Sequence, residues 1–111
     1  MNTGFGTTNA AEGNIKFEND LGEEVSFIFI GDKNIRDFNP GGFTNKLSPL
    51  ADPPAFPWFV SVGGQRLDMQ ILALPKSWKG TRVVSLTITA TGPGQDALWL
   101  TAISYFPEPI E

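Results

Sequence analysis

The sequence predicts an all-β domain, an antiparallel β-sandwich of six to eight strands, with a small β-barrel as the alternative. Apolar and polar residues alternate with a period of two between clusters of Gly, Pro, Asn and Asp, which is typical of half-buried strands joined by turns. The 12 Gly and 9 Pro among 111 residues are too many for a helical bundle. The hydrophobic share of 41% is too high for a disordered chain.

The first predicted element is a hairpin between residues 14–18 and 24–30, joined by a turn at residues 19–23. Its register opposes Glu18 to Glu24, a like-charge pair that slightly destabilises the hairpin. One face of the hairpin is apolar and is expected to point inward: Ile15, Phe17, Val25, Phe27 and Phe29.

Two irregular connections are predicted. The first, residues 31–57, is so rich in proline that it excludes a central strand and a long helix, and we expect it to cross from one sheet to another. Short strands are expected within it at residues 35–38 and 43–47. The second connection, residues 76–80, is expected to hold one turn of 3₁₀ helix.

The second predicted hairpin spans residues 58–74 around Gly63-Gly64, a pair that suits a two-residue turn because both central positions need a positive φ. In this register Trp58 and Val60 point into the core. The inward pairs are Val60 with Leu67 and Trp58 with Met69.

The third predicted hairpin joins residues 81–91 to residues 97–106 across a loop made of turn-forming residues. One register makes the two apolar faces coincide. Its inward pairs are Ala90 with Leu98, Ile88 with Leu100, Leu86 with Ala102, and Val84 with Ser104. We therefore expect Leu86, Ile88 and Leu100 at the centre of the core.

The opposite face of this hairpin mixes hydroxyl groups with large apolar side chains and is a candidate contact patch: Val83, Trp99, Ile103 and Tyr105. Three interpretations are open: cover by a loop of the same chain, burial against another subunit, or a platform on which a ligand stacks. We rank them in that order, with the subunit contact close behind the first because the patch is large for a small domain.

The length of 111 residues fits one domain. We divide the chain into an N-terminal arm, residues 1–13, a single β-sandwich domain, residues 14–106, and a C-terminal tail, residues 107–111. Phe5 is the one large apolar residue of the arm besides Met1, so the arm has no core of its own. We expect it to lie against a neighbouring subunit, with a groove on the same domain as the alternative, and we assign Phe5 as a contact residue.

The composition argues against several classes of function. Cys and His are absent, which removes disulfides, thiolate ligands, cysteine nucleophiles and the usual general base. Since no nucleotide-binding or nucleophile motif is present either, we predict no enzyme activity and no cofactor. The net charge is −4 and the 8 Lys and Arg are scattered singly, so we expect no nucleic-acid surface.

Membrane, export and metal signals are equally sparse. The apolar runs are far shorter than the roughly 20 residues that span a bilayer, which predicts no membrane span. No basic residue precedes Lys16, so we expect no signal peptide, and hence a cytoplasmic location or release without a classical signal. The oxygen-rich loops at residues 18–24 and 32–39 suggest calcium, but they lack EF-hand spacing, and Asp and Asn are common turn formers, so we assign no metal site.

These observations favour a non-enzymatic, self-associating structural or assembly subunit, of the kind found in virions, appendages or inclusions. Such a homo-oligomer would be held by the apolar sheet face and the N-terminal arm. The alternative is a carbohydrate-binding or lectin-like module that attaches to cell surfaces. A third interpretation is a secreted toxin-like sandwich that meets membranes through exposed aromatic side chains.

Overall fold

The structure, a computed structural model, describes residues 1–105 and confirms the all-β class. The strands are β1 (Asn2–Gly4), β2 (Ala11–Asn19), β3 (Glu24–Ile30), β4 (Ala55–Val60), β5 (Arg66–Gln70), β6 (Val83–Ala90) and β7 (Ala97–Trp99). One turn of 3₁₀ helix, Lys76–Trp78, lies in the predicted connector. No helix within residues 1–105 is long and apolar enough to cross a membrane.

The strands form three antiparallel sheets, with orders β3-β2-β6, β1-β7 and β4-β5. The three-stranded sheet is the largest, and β2 is its central strand. None of the three sheets closes on itself among the described strands, and the sandwich arrangement stays a prediction.

The β2–β3 hairpin forms in the predicted register, with Glu18 opposite Glu24. Phe29 and Ile15 are buried on its inward face. The turn is held by Asn19, whose Oδ1 accepts hydrogen bonds from the backbone N of Leu21 at 3.1 Å and of Glu23 at 2.9 Å. Local alternation and turn chemistry are therefore sufficient for this element.

The β4–β5 hairpin exists, but its predicted register is wrong by one residue, because Val60 pairs with Arg66 and not with Leu67. A bulge between Pro57 and Phe59 leaves Trp58 without a partner on β5. Proline has no N–H to donate to a strand ladder, and a bulge is the usual way to accommodate it. Trp58 was predicted in the core, yet it is 69% exposed.

The predicted hairpin between residues 81–91 and 97–106 is wrong in the described part of the chain. β6 pairs with β2, so that Ile88 lies opposite Ile15, and β7 pairs with β1. β2 offers β6 a partner whose apolar positions also match, with Ile15 opposite Ile88 and Phe17 opposite Leu86. Phe106 of the prediction lies outside the described residues.

Leu86, Ile88 and Leu100 were expected at the centre of the core. This prediction is wrong, because the three side chains are 38%, 37% and 41% exposed. Leu86 and Ile88 do point to the same side of the sheet as Phe17 and Ile15, their partners on β2. β6 is an edge strand, however, and the layer that covers the sheet does not extend over it.

The buried apolar cluster is small. It consists of Met1, Ile15, Phe29 and Ile35, with the half-buried Phe17, Phe27, Leu72 and Leu98 packed against it. Much of the remaining interior is polar: Asn2, Thr3, Glu12, Asn19, Asn34, Asp37, Thr44 and Asp68 are buried.

The predicted short strands at residues 35–38 and 43–47 are absent, and isolated bridges from Ile35 to Gly31 and from Asp37 to Thr3 stand in their place. Backbone hydrogen bonds join residues 36–38 to Thr3, Thr44 and Arg66, and the Asp37 side chain accepts the backbone N–H of Thr44 at 3.1 Å. Because these partners lie on three different segments, no continuous ladder forms.

The N-terminal arm lies against its own chain. Residues 2–4 form β1, and Asn2 and Thr3 are buried. Asn2 Nδ2 donates to Asp68 Oδ2 at 2.7 Å, and Asn2 Oδ1 accepts from Asp68 N at 2.9 Å. Hydrogen bonds to buried polar partners thus supply the order that the arm's composition does not.

Asp68 also forms a buried ion pair with Arg36. Arg36 Nε donates to Oδ2 and Nη2 to Oδ1, both at 2.8 Å, in the two-pronged geometry that favours arginine over lysine. The Asp68 side chain is fully buried. Removal of one partner of a buried pair leaves the other charge uncompensated.

We predict that Asp68→Asn lowers the free energy of unfolding by about 3–5 kcal/mol, because Arg36 then keeps a buried charge without its counterion. Urea unfolding monitored by circular dichroism measures this loss. Lys16→Met is the control, since the Lys16–Glu24 pair at 3.8 Å is largely solvent-exposed and should contribute less than about 1 kcal/mol. Equal effects of the two substitutions would contradict the role assigned to Asp68.

Candidate functional site

A shallow groove of about 600 Å³ lies where the N-terminal arm, the long connection and the β6–β7 loop meet. Its lining residues are Phe5, Gly6, Thr7, Thr8, Phe43, Gln95 and Asp96. Aromatic rings, hydroxyl groups, an amide and a carboxylate therefore converge on one surface, the combination expected of a site for a polar organic ligand.

Two exposed aromatic rings form the apolar part of the groove. The ring centroids of Phe5 and Phe43 are 6.2 Å apart, with the planes tilted by 35°. Phe5 has a φ of 56°, a left-handed conformation that costs a bulky residue roughly 1–2 kcal/mol. The surrounding contacts must hold Phe5 in this conformation.

The buried Asp37 carboxylate provides those contacts. Its Oδ1 accepts from Gly6 N at 2.8 Å and from Thr3 Oγ1 at 2.7 Å, while its Oδ2 accepts from the backbone N of Phe43 and Thr44. Burial alone would raise the pKa of Asp37, but these hydrogen bonds outweigh it, and the pKa lies below its usual value. One ionised carboxylate thus fixes the backbone beside both phenylalanines.

The polar part of the groove is centred on Asp96. Thr7 Oγ1 donates to Asp96 Oδ2 at 2.7 Å, which orients the carboxylate at the groove surface. Thr8 Oγ1 donates in the same way to Asp32 Oδ2. Asp32 also accepts backbone hydrogen bonds, and its pKa is lowered by all of these donors against the opposing effect of burial.

Glu12 lies behind Asp96 and is 1% exposed, so it does not line the groove. Its Oε1 accepts from Thr7 N, but its Oε2 has no donor when the group is a carboxylate. Burial first, and then the neighbouring Asp96, raise the pKa of Glu12 to about 7. Below that pH the carboxyl group of Glu12 is protonated and donates a hydrogen bond to Asp96, so Oε2 no longer lacks a partner.

The acidic loops that suggested calcium do not assemble a ligand set in the described part of the chain. Among residues 1–105 no three Asp, Glu, His or Cys side chains form a group that would hold a metal ion. In the second loop, Asp32 Oδ1 accepts from the backbone N of Asn45 at 2.7 Å and of Lys46 at 2.9 Å.

The predicted contact residues are separated in the structure. Val83 lies at the start of β6, where it pairs with Asn19 and not with Tyr105. Trp99 is half exposed and stacks on Phe38, with ring centroids 4.7 Å apart and planes 24° apart. One face of the Trp99 ring is therefore covered by a residue of its own chain, which is the interpretation ranked first.

The remaining predicted residues are exposed. Ile103 and Tyr105 follow β7 and are 53% and 67% exposed. Phe5 lies in the groove. A second cleft, of about 240 Å³ and mostly apolar, has Trp99, Phe38 and Phe59 among its lining residues.

Six groove residues were not predicted from the sequence: Phe43, Gly6, Thr7, Thr8, Gln95 and Asp96. One signal was present for the first, because Phe43, like Phe5, directly follows glycine. The approach of Asp96 to Thr7 joins residues 89 positions apart and has no local signal.

No protein-family model, curated protein or solved structure matches the chain. A functional assignment therefore depends on the geometry described above.

We predict that Glu12 makes the fold less stable as the pH rises from about 4.5 to about 7. The folded protein keeps a proton on Glu12 that the unfolded chain releases above its ordinary pKa of 4.5, so the free energy of unfolding falls through this range and levels off above it. Urea unfolding at pH about 5 and about 8 measures the effect.

The Glu12→Gln variant is the reference, because its amide cannot titrate. Burial lowers the pKa of the Met1 amino group, but this group is common to both proteins, so its effect cancels in the comparison. An identical pH dependence of the free energy of unfolding in wild type and Glu12→Gln would contradict the prediction that folded Glu12 keeps its proton.

Proposed function

We propose that the protein is a non-enzymatic, self-associating structural subunit. The observation that carries the proposal is the imbalance between its core and its surface: within residues 1–105 six hydrophobic residues are buried and nineteen large hydrophobic side chains are exposed. Single exposed apolar residues are normal on a monomer, but so many beside so small a buried core favour an interface.

Two strands, β4 and β6, each present several of these residues. β4 presents Phe56, Trp58, Phe59 and Val60 to solvent, in a two-stranded sheet that is marginal unless something packs against it. β6 presents Leu86 and Ile88 on the open part of the core-facing side. Cover by a second copy would bury both elements and extend the small core.

The arm contributes in a narrower way than its composition suggests. Most of its residues are needed for the chain's own fold, and Phe5 is the large apolar side chain that it presents to solvent. A neighbour that touches the arm would therefore meet Phe5, together with Phe43.

We predict that the wild-type protein forms dimers or larger assemblies at about 1–100 µM, through an interface of about 1,000 Å² or more. Trp58→Ser should weaken association by at least about tenfold, because an exposed planar side chain in an apolar patch is a typical hot spot. Light scattering across a concentration series measures this.

Leu50→Ser is the matched control, since Leu50 is also fully exposed but lies in the long connection, away from both apolar elements. It should leave the mass unchanged, and both variants should keep a β-type circular dichroism spectrum. A wild type that stays monomeric throughout the series would refute the proposed function.

A second candidate function, carbohydrate binding, is favoured by the groove. Sugar rings stack on aromatic faces and exchange hydrogen bonds with hydroxyl, amide and carboxylate groups. Phe5, Phe43, Gln95 and Asp96 present these groups side by side.

The test is retention on cellulose, chitin and starch resins at pH about 6. If the groove binds a sugar, Phe43→Ala should reduce the affinity by about tenfold, the loss expected for one aromatic stacking contact. Phe56→Ala, an exposed phenylalanine on β4, should leave retention unchanged. Absence of retention on all three resins, or equal loss in the two variants, would remove this candidate.

A further inference from the structure

We propose that the outer edge of β6 receives residues 100–105 of a second copy of this chain as an added antiparallel strand. The inference rests on the proposed function and names the element that joins the copies. A strand that adds to a sheet edge pairs its backbone N–H and C=O groups with those of the edge, and its alternate side chains decide which partner fits.

The outer edge of β3, on the opposite side of the same sheet, is closed by a side chain. Asn34 Nδ2 donates to Ile28 O at 3.1 Å, and Asn34 Oδ1 accepts from Ile30 N at 2.7 Å. The amide of Asn34 thus takes the hydrogen bonds that an added strand would need, and it is itself buried.

The outer edge of β4 is protected in another way. Pro57 removes one backbone donor, and the bulge at Trp58 interrupts the regular spacing of the strand. Proline and bulges are the usual means by which natural proteins prevent edge-to-edge pairing.

The outer edge of β6 carries neither protection over residues 85–90. This stretch has no proline and no charged residue, and the one irregularity of β6 lies at its start, between Val83 and Ser85. Within residues 1–105, no hydrogen bond other than those to β2 reaches the backbone of residues 85–90. It is a long, regular and apolar edge of the kind to which strands add.

Residues 100–105 have the properties of the missing strand. They follow β7, are exposed, and belong to no strand of their own copy. They also lack charge. Residues 100–105 do not run along β6 of their own copy, because β7, which precedes them, is paired with β1 and Trp99 is stacked on Phe38.

One register satisfies both faces of the extended sheet. Ile103 opposite Ile88 places Tyr105 opposite Leu86, which covers the open apolar part of the sheet. On the other face the small or hydroxyl-bearing pairs are Thr87 with Ser104 and Thr89 with Ala102. A slip by one residue would exchange the two faces, and a slip by two would leave Leu86 or Ile88 without a large side chain opposite it, whereas the register given sets one opposite both.

The composition of the two edges favours a second copy as the occupant. Each copy carries a net charge of −4, so two copies repel at long range, and their attraction must come from backbone and apolar contacts at the joined edges. Neither β6 nor residues 100–105 contain a charged side chain, and the pairing therefore desolvates no charge. Each copy has both the β6 edge and the strand that adds to it. Two copies can therefore form a closed symmetric pair, or many copies can form an open chain.

The experiment uses cross-linking, which is clean because the chain has no cysteine of its own. Full-length Thr87→Cys is mixed with a mass-tagged full-length Ser104→Cys and oxidised. The proposed register places the two sulfurs on adjacent strands, so we expect a disulfide-linked species of mixed mass in at least about tenfold excess over the control.

The control mixture pairs Ser26→Cys with the same Ser104→Cys. Ser26 and Thr87 lie on one face, since both pair with Lys16, and both are exposed, but Ser26 belongs to the protected edge strand β3. A second measurement substitutes Ile103→Lys, which should weaken association about tenfold by placing a charge on the apolar face. Leu21→Lys, in the exposed β2–β3 turn, is its control.

The outcomes separate this inference from the proposed function. A self-associating wild type whose Thr87→Cys mixture cross-links no better than the Ser26→Cys mixture, or whose mass is unaffected by Ile103→Lys, would overturn the strand addition and leave self-association intact. A monomeric wild type would refute both.

Discussion

The Asp68 carboxylate is the contact on which the arrangement of the rest of the chain depends. It joins β5 to Arg36 of the long connection and to Asn2 of β1, three segments that are far apart in the sequence. Because Arg36 precedes Asp37 directly, the ion pair that fixes Arg36 also positions the carboxylate under the groove. Without disulfides and with a small apolar cluster, the chain relies on buried, hydrogen-bonded polar groups to hold its irregular half together.

This reliance explains why so much apolar surface stays exposed. Polar groups occupy interior positions that another protein of this size would fill with aliphatic side chains, so β4 and β6 keep apolar faces that no element within residues 1–105 covers. Burial of such surface contributes about 25 cal/mol per Å², and a second copy can supply it as well as a second layer of the same chain. The proposed self-association would supply this burial.

The groove and the apolar faces are separate features with separate chemistry. The groove is built on ionised Asp37, and Glu12 lies behind it with a pKa that burial and the neighbouring Asp96 raise to about 7. As the pH rises through that value, Glu12 gains a negative charge beside Asp96, which is in the same loop as Gln95. The apolar edge of β6 contains no titratable group and is insensitive to this change.

The sequence alone determined the all-β class, the β2–β3 hairpin with its register, and the 3₁₀ turn, because alternation and turn chemistry act between residues that are close along the chain. Tertiary structure decided the rest. The β4–β5 register shifted because Pro57 cannot donate to a ladder, and β6 left its predicted partner for β2, whose apolar positions match those of β6 as well. Of the groove, the sequence marked Phe5 alone. Phe43 is held through its backbone N–H by Asp37, six positions earlier, and Asp96 by the hydroxyl of Thr7, 89 positions away. A pattern of alternation and turns does not show which donor a given carboxylate will meet.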